Sequence, residues 1–375
     1  MTKRVRLLIC CVMLGIVEAL ACTSAIIGAD ATPYGRPLLW KNRDTSTIDN
    51  KVEFVKGNAG ELSYVGLFNA DDRKLEQAWM GMNEAGFAIM NTASYNIKDD
   101  KVPAKDMDKE GYLMAEALKC CHTVDDFARF LDRLPRPMGV EANFGVIDAY
   151  GDGAFFETNN DSYKRFDLKD AEGSVLIRTN YSHSGRPDEG VGFVREANAC
   201  HMLEPYVRDR SVTPELLTET VSRRFWHDLK KRDYADGHER WVVDQDFIPR
   251  YKSTASVVIE GCRPIDRDSI PSADFVGSQY IMWTGLGYPP CSEIVPVWCR
   301  PDGVDNELRG GANGHSVMGD RVKARRDEVF PIKKGNGEKY IDMEKLYNAD
   351  GTGYVQVLVP KNMETYRRFR EKRGE

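Results

Sequence analysis

The sequence predicts an α+β fold in which two sheets are covered by helices. Three observations support this. Short runs rich in β-branched and aromatic residues lie both before and after a helical block, each strand-like run is closed by Gly, Pro, Asn or Asp, and no repeat, low-complexity tract or linker divides the chain. The length alone fits one large domain or two ordinary ones, and the missing linker favours a single domain over 22–375.

The early strand-like runs are TSAIIGAD, RPLLW, KVEFV, LSYVGLF and GFAIMN. Residues 109–133 then carry apolar side chains at helical spacing, and Thr123 with Asp126 three residues later predicts a fresh cap inside that stretch. Pro135-Arg136-Pro137-Met138-Gly139 stops it. ANFGVIDAYGDGAFFET reads as two strands joined at a Gly-Asp-Gly turn, and SVLIRTN as a further strand. Helices are predicted over about 191–208 and 213–231, strands at STASVVIEG and SQYIMWTG, and a glycine-rich loop from Gly303 to Gly319. A basic helix with a solvated face ends the sequence at PKNMETYRRFREKRG.

The start of the chain reads as a leader. Lys3, Arg4 and Arg6 precede an apolar run from Leu7 to Val17, and Ala19-x-Ala21 supplies the small residues of a cleavage site. The run is too short to span a bilayer. Cleavage after Ala21 predicts an exported protein, periplasmic or extracellular, that begins at Cys22. A lipoprotein peptidase would leave the same terminal cysteine, but acylated and serving only as an anchor, so this alternative stays open on the leader alone.

Composition excludes some classes. At 42% hydrophobic and 29% charged residues the chain is globular. Its formal charge is −6, becoming −8 once the leader's three basic side chains and Glu18 are gone, and it has no basic stripe, which argues against nucleic acid. Seven cysteines follow the leader, an odd number that predicts at least one free thiol, with Cys22 the first candidate. Cysteines beside histidines in KCCHT and NACHM lack a second pair at zinc-ligand spacing, so neither a metal nor another cofactor is expected.

CTSAIIGADATPYGRPLLWKNRD, WMGMNEAGFAIMNTASYN, ANFGVIDAYGDGAFFET and IRTNYS together resemble the N-terminal-nucleophile cysteine amidases of the acyl-CoA:6-aminopenicillanic-acid acyltransferase type, the C45 peptidase family. They are distantly similar to choloylglycine hydrolases and penicillin V acylases. The resemblance covers most of 22–260 and implies a four-layer αββα sandwich. It also implies that Cys22 supplies a thiol nucleophile and, through its own α-amine, the base. That amine titrates near neutrality only when it is free, so removal of the leader would double as activation.

The resemblance further implies that Asp44 holds the α-amine, and that the Asn91 backbone N–H and the Asn180 side-chain amide form the oxyanion hole. Lys41 falls where choloylglycine hydrolases carry an arginine, and Arg43 lies two residues on. Their late-strand arginine has no match in YKSTASVVIEG, although Arg250 and Lys252 lie close by, and this departure argues against bile-salt or penicillin V chemistry. Trp40, Phe68, Trp79 and Tyr95 fit either an acyl pocket or core packing.

The expected function is hydrolysis of a linear amide, or acyl transfer from it to an amine acceptor. The substrate is a small-molecule amide or a short peptide, with no membrane span and no cofactor. A dipeptidase of the same catalytic type and a lipid-anchored binding protein are the alternatives. Should Cys22 not be the base-bearing terminus, His183 is the first candidate to pair with the thiol.

Overall fold

The computed structural model describes residues 21–98, 100–333, 335 and 337–375; all of the leader except Ala21 lies outside the described residues. Strands β1 (Thr23–Ile27) and β2 (Leu38–Asp44) form a buried antiparallel pair. Seven strands then run as a continuous antiparallel meander: β3 (Asn50–Val55), β4 (Tyr64–Asn69), β5 (Ala78–Asn83), β6 (Ala88–Ala93), β7 (Ala142–Ile147), β8 (Gly153–Thr158) and β9 (Tyr163–Asp167). Helices α1 (Glu110–Cys120) and α2 (Val124–Arg133) interrupt it between β6 and β7. The expected break is there: the Thr123 hydroxyl accepts from Asp126 N while the Asp126 carboxylate accepts from Thr123 N, a capping box that starts α2.

Strand β10 (Val175–Arg178) returns to β1, and helix α3 (Phe193–Arg208) follows. Two small antiparallel pairs come next, β11 (Trp226–His227) with β12 (Arg232–Asp233), and β13 (Trp241–Val243) with a strand near the end of the chain. Strand β14 (Ser253–Glu260), helix α4 (Ala273–Gln279), β15 (Ile281–Leu286) and β16 (Val295–Val297) complete the first sheet, whose order is β10-β1-β2-β14-β15-β16. Helix α5 (Val317–Val329), strand β17 (Tyr340–Asp342, the partner of β13), the turn α6 (Met343–Leu346) and α7 (Tyr354–Arg373) end the chain.

Period-2 alternation sorts each strand's side chains into separate cores. Ile26 and Leu39 of the six-stranded sheet pack against Val52, Val65, Met80, Met90 and Phe155 of the seven-stranded one. On the outside of the seven-stranded sheet, Phe68, Ile89, Phe144 and Phe156 meet Met114, Leu118, Phe127 and Leu131 of α1 and α2. On the outside of the other, Ala25, Trp40, Val258 and Trp283 meet Ala199 and Leu203 of α3 and Tyr366 of α7. The architecture is therefore the four-layer αββα sandwich.

Several expectations need correction. The helix predicted over 213–231 is one π-helical turn, Leu216–Val221, followed by the β11–β12 pair. There Arg223 turns inward to Glu219 and the Ser292 carbonyl, and Asp228 N donates to Asn198 Oδ1, so tertiary contacts override the helical pattern. Strands β5 and β9 and helix α5 fall outside the predicted runs. The basic C-terminal helix is solvated on one face only, since Arg370 is buried on the other in contact with Glu260, Glu215 and Glu375. Trp40 and Phe68 are core, whereas Trp79 and Tyr95 keep some exposure. All seven described cysteines are free thiols. No helix of the described residues is long and apolar enough to cross a membrane.

Glu110 opens α1 with its carboxyl buried, and burial pushes its pKa up from 4.5 to about 7. With the folded-state value above the unfolded one, the stabilisation from the protonated form is complete below about pH 4.5 and is lost as the pH rises through 7. Relative to Glu110→Gln, the parent should therefore lose about 3 kcal/mol of unfolding free energy across this window. Urea melts of both proteins at several pH values check this, and a difference independent of pH would contradict it.

Candidate active site

The site forms where β1 begins. Ser24 stands opposite Lys41 on β2 and opposite Arg178 on β10, so extending both ladders by two residues sets Cys22 between Arg43 and Asn180. Directly opposed residues in an antiparallel sheet project to the same side, here toward the seven-stranded sheet. Cys22 is 8% exposed, and its thiol lies 3.7 Å from the Asp44 carbonyl oxygen.

Asp44, the last residue of β2, has a buried carboxylate that accepts from four donors. They are Ser253 Oγ at 2.6 Å, Arg250 Nη2 at 2.9 Å, Arg250 Nε at 3.1 Å and Asn42 Nδ2 at 3.3 Å. Burial pushes this carboxyl up, while Arg250, Arg195 and the Ser253 hydroxyl pull it down. A register shift between Ser253 and Ala255 places the Ser253 hydroxyl where the carboxylate needs it. Arg250 Nη2 also reaches the Ala21 carbonyl at 3.3 Å, so one guanidinium joins Asp44 to the peptide group just before Cys22.

Arg195, in the first turn of α3, is the second organiser. Its Nη1 donates to the Cys22 carbonyl and to Thr23 Oγ1, and its Nη2 to Asn180 Oδ1 at 3.0 Å. Burial lowers its pKa to about 10. Gly192, just before the helix, has φ 104°, and a Cβ there would lie 2.4 Å from Arg195 Nη2. Glycine therefore supplies both the backbone conformation and the room for the guanidinium.

Asn180 is fully buried and fixed at both ends of its amide. Oδ1 accepts from Arg195, and Nδ2 gives one hydrogen to the Ala93 carbonyl at 2.9 Å, which leaves its second N–H uncommitted among the described residues. The adjoining backbone is clamped by Asn143, whose Nδ2 reaches the carbonyls of Thr179 and Tyr181 and whose Oδ1 accepts from Ser182 Oγ.

Asn91 stands one lysine away from the thiol. The β5–β6 ladder ends at Met80 opposite Met90, and the next pair would be Trp79 with Asn91. Lys41 Nζ enters that gap and donates to the Trp79 carbonyl at 2.9 Å and to Asn91 Oδ1 at 2.8 Å. Burial lowers the Lys41 pKa to about 8, opposed by its interactions with Cys22 and Asp44.

Cys22 and Asp44 are thus in contact, Asn180 is joined to Cys22 through Arg195, and Asn91 comes to the site through Lys41. His183 is not paired with the thiol; its Nε2 lies 2.9 Å from Glu196. The late strand itself brings no arginine to the site, and Arg250, in the loop before it, pairs with Asp44. Arg195 has no motif to mark it in the sequence, and Arg250 is noted there only for lying just before YKSTASVVIEG. The pairing of Asp44 with Arg250 was foreshadowed only by proximity to YKSTASVVIEG.

The fold is a layered α+β sandwich whose site brings a cysteine thiol, a buried carboxylate and an oriented amide to the head of one strand. Residues 31–202 match the family model of acyl-coenzyme A:6-aminopenicillanic acid acyl-transferase, a segment that holds Asp44, Asn91, Asn180 and Arg195. No significant match is found among curated protein sequences. Among solved structures, an N-acylethanolamine-hydrolyzing acid amidase ortholog from Caenorhabditis elegans is 14% identical, with 69% of this chain and 98% of that one covered and a TM-score of 0.40. A mutant of conjugated bile acid hydrolase from Clostridium perfringens is 13% identical over 76% and 95%, with a TM-score of 0.43. Penicillin V acylase from Agrobacterium tumefaciens is 14% identical over 74% and 86%, with a TM-score of 0.40. Likenesses this shallow describe resemblance only, and the chemistry that follows rests on the residues of this chain.

Replacing Arg250 by Met leaves the buried Asp44 carboxylate with only Ser253 and Asn42 as partners. The variant should lose about 3 kcal/mol of stability at pH 7. The loss should shrink in acid, where Asp44 protonates. Denaturant melts at pH 7 and pH 4 test this, and an equal deficit at both would show that the ion pair is not its source.

Proposed function

We propose that this protein hydrolyses a linear amide, or transfers its acyl group to an amine, through the thiol of Cys22 once export processing has removed residues 1–21. This is chemistry of the C45 peptidase type. The observation that carries the reading is the arrangement at the head of β1. A cysteine directly after a small-residue cleavage motif lies in contact with Asp44, and the one arginine that bonds its carbonyl also bonds Asn180.

In the processed chain the α-nitrogen of Cys22 is a free amine, the only group at that atom able to take the thiol proton. The thiolate adds to the amide carbonyl. Negative charge then develops on oxygen, and the uncommitted N–H of Asn180 together with the Asn91 backbone N–H meets it. Each such donor is worth about 3–4 kcal/mol in the transition state. Collapse of the intermediate expels the amine, which takes its proton from the α-ammonium group and leaves a thioester on Cys22. Water hydrolyses the thioester to a carboxylic acid, or an acceptor amine aminolyses it. Asp44, held by Arg250 and Ser253, keeps the α-amine oriented through both halves.

Burial supports plain cleavage over a lipid anchor. Ala21 is 2% exposed and Cys22 8%, inside the layered sheets, whereas an anchoring diacylglyceryl cysteine has to reach a membrane surface. We accordingly assign the exported protein to the periplasm or the exterior of the cell.

The test compares protein beginning at Cys22 with protein carrying one extra glycine before it. Converting the α-amine to an amide should lower kcat/KM by about 10²–10⁴-fold while thermal stability stays near that of the parent. A folded, fully active glycine-extended protein would remove the α-amine from the mechanism.

A further inference from the structure

The buried arginines of this protein differ in what holds them. Arg178 is paired with Glu157, Arg223 with Glu219, Arg370 with Glu260 and the half-buried Arg250 with Asp44, while buried Arg195, which also bonds only neutral oxygens, uses them to hold the Cys22 carbonyl and Asn180. Arg43 is also buried, at 3% exposure, but both hydrogen bonds made by its side chain go to neutral acceptors, Asn50 Oδ1 and Asn69 Oδ1, the latter at 2.8 Å. Among the described residues no carboxylate lies within ion-pair distance of it, and the exposed Asp71 acts on it only at longer range. Its guanidinium lies 4.9 Å from the centre of the Trp79 ring, which fixes its plane. Lys41, two residues earlier, is likewise buried and bonded only to neutral oxygens.

Two buried cations without a counter-anion are costly unless something else supplies the charge. The Cys22 thiolate offers at most one negative charge, and in the thioester it offers none. Asparagine carbonyls orient the Arg43 guanidinium without neutralising it and use only two of its five N–H donors. A planar, oriented and unneutralised guanidinium matches a carboxylate, which it grips with two parallel hydrogen bonds.

Resting on the reading of Cys22 as the nucleophile, we propose that Arg43, with Lys41 beside it, is the binding site for a carboxylate carried by the amide substrate. Extending the β1–β2 register by one residue beyond Thr23–Asn42 sets Arg43 opposite Cys22, and such neighbours stand about 5 Å apart at their β-carbons, so the carboxylate lies within a few bonds of the amide that is cleaved. The substrate class is an amide with a nearby free carboxylate, either on the amine side, as in an N-acyl amino acid, or on the acyl side, as in the monoamide of a short dicarboxylic acid.

The test uses matched pairs with the protein that begins at Cys22. N-Phenylacetylglycine against N-phenylacetylglycinamide places the charge on the amine side, and the 4-nitroanilide of succinic acid against that of butanoic acid places it on the acyl side. The parent should prefer the carboxylate member of one pair by about 100-fold in kcat/KM, the worth of two charge-assisted hydrogen bonds. Arg43→Gln should reduce that preference to within about threefold. Asn69→Asp, which sets a carboxylate against the guanidinium while keeping Arg43, should do the same without loss of thermal stability. Arg43→Lys should keep part of it. No carboxylate preference in either pair, or a preference that survives Arg43→Gln, would overturn the assignment.

Calorimetric binding of the same pairs to Cys22→Ala separates the two claims. Binding that favours the carboxylate and depends on Arg43, in a protein that turns over neither pair before the Cys22 substitution, sinks the nucleophile and leaves the subsite standing. Turnover through Cys22 with no such preference does the reverse.

Discussion

A carboxylate shut away from water has to be fully partnered, and much of the site follows from how Asp44 meets that demand. Its oxygens draw in Asn42 from its own strand, Ser253 from the irregular start of β14 and Arg250 from the loop before it. The same Arg250 reaches the Ala21 carbonyl, so the anion at the end of β2 fixes the position of the peptide group just before Cys22, where we propose that the processed chain begins. An aspartate held this way can orient an amine without moving. Such preorganisation is what a base supplied by a chain terminus requires, since a terminus left to itself is among the most mobile parts of a protein.

The second constraint is charge. Lys41, Arg43, Arg195 and Arg250 gather around Cys22 and Asp44 at one end of the layer between the sheets. Only Arg250 has a carboxylate of the protein as its close partner. Arg195 spends its charge on carbonyl oxygens of the site and, by holding Asn180 Oδ1, settles which way that amide points. Lys41 occupies the place where the β5–β6 ladder lapses, so a local failure of strand pairing becomes the seat of a buried cation. These groups give the site a positive character suited to thiolate formation, to a developing oxyanion and to an anionic substrate alike.

Much of the fold was legible in the sequence because its strands are short, alternate cleanly and end at turn residues, as ANFGVIDAYGDGAFFET shows. The α1–α2 break was legible through Thr123 and Asp126, whose chemistry is local. The segment after Leu216 was not, because Arg223 and Asp228 find their partners on distant elements and the helical period there reflects packing of another kind. In the site, Cys22, Asp44 and Asn180 could be picked out by their motifs, and the structure joins Cys22 to Asp44 by contact and to Asn180 through Arg195. Arg195 could not, since nothing local distinguishes an arginine destined for burial from one that stays in water, and Arg250 was marked only by its place just before YKSTASVVIEG. Arg43 was visible as a residue, but its lack of an acidic partner is a property of the folded chain alone.

The central claim is that acyl groups pass through a thioester on a cysteine that begins the chain. Intact and fragment mass spectrometry, on protein quenched in acid within the first turnover of a chromogenic amide, tests it most directly. The account predicts one acyl group on Cys22, in a chain whose first residue is Cys22, and its release by neutral hydroxylamine. Amide cleavage with no such adduct, or with the acyl group on another residue or on chains that still carry Ala21, would contradict it.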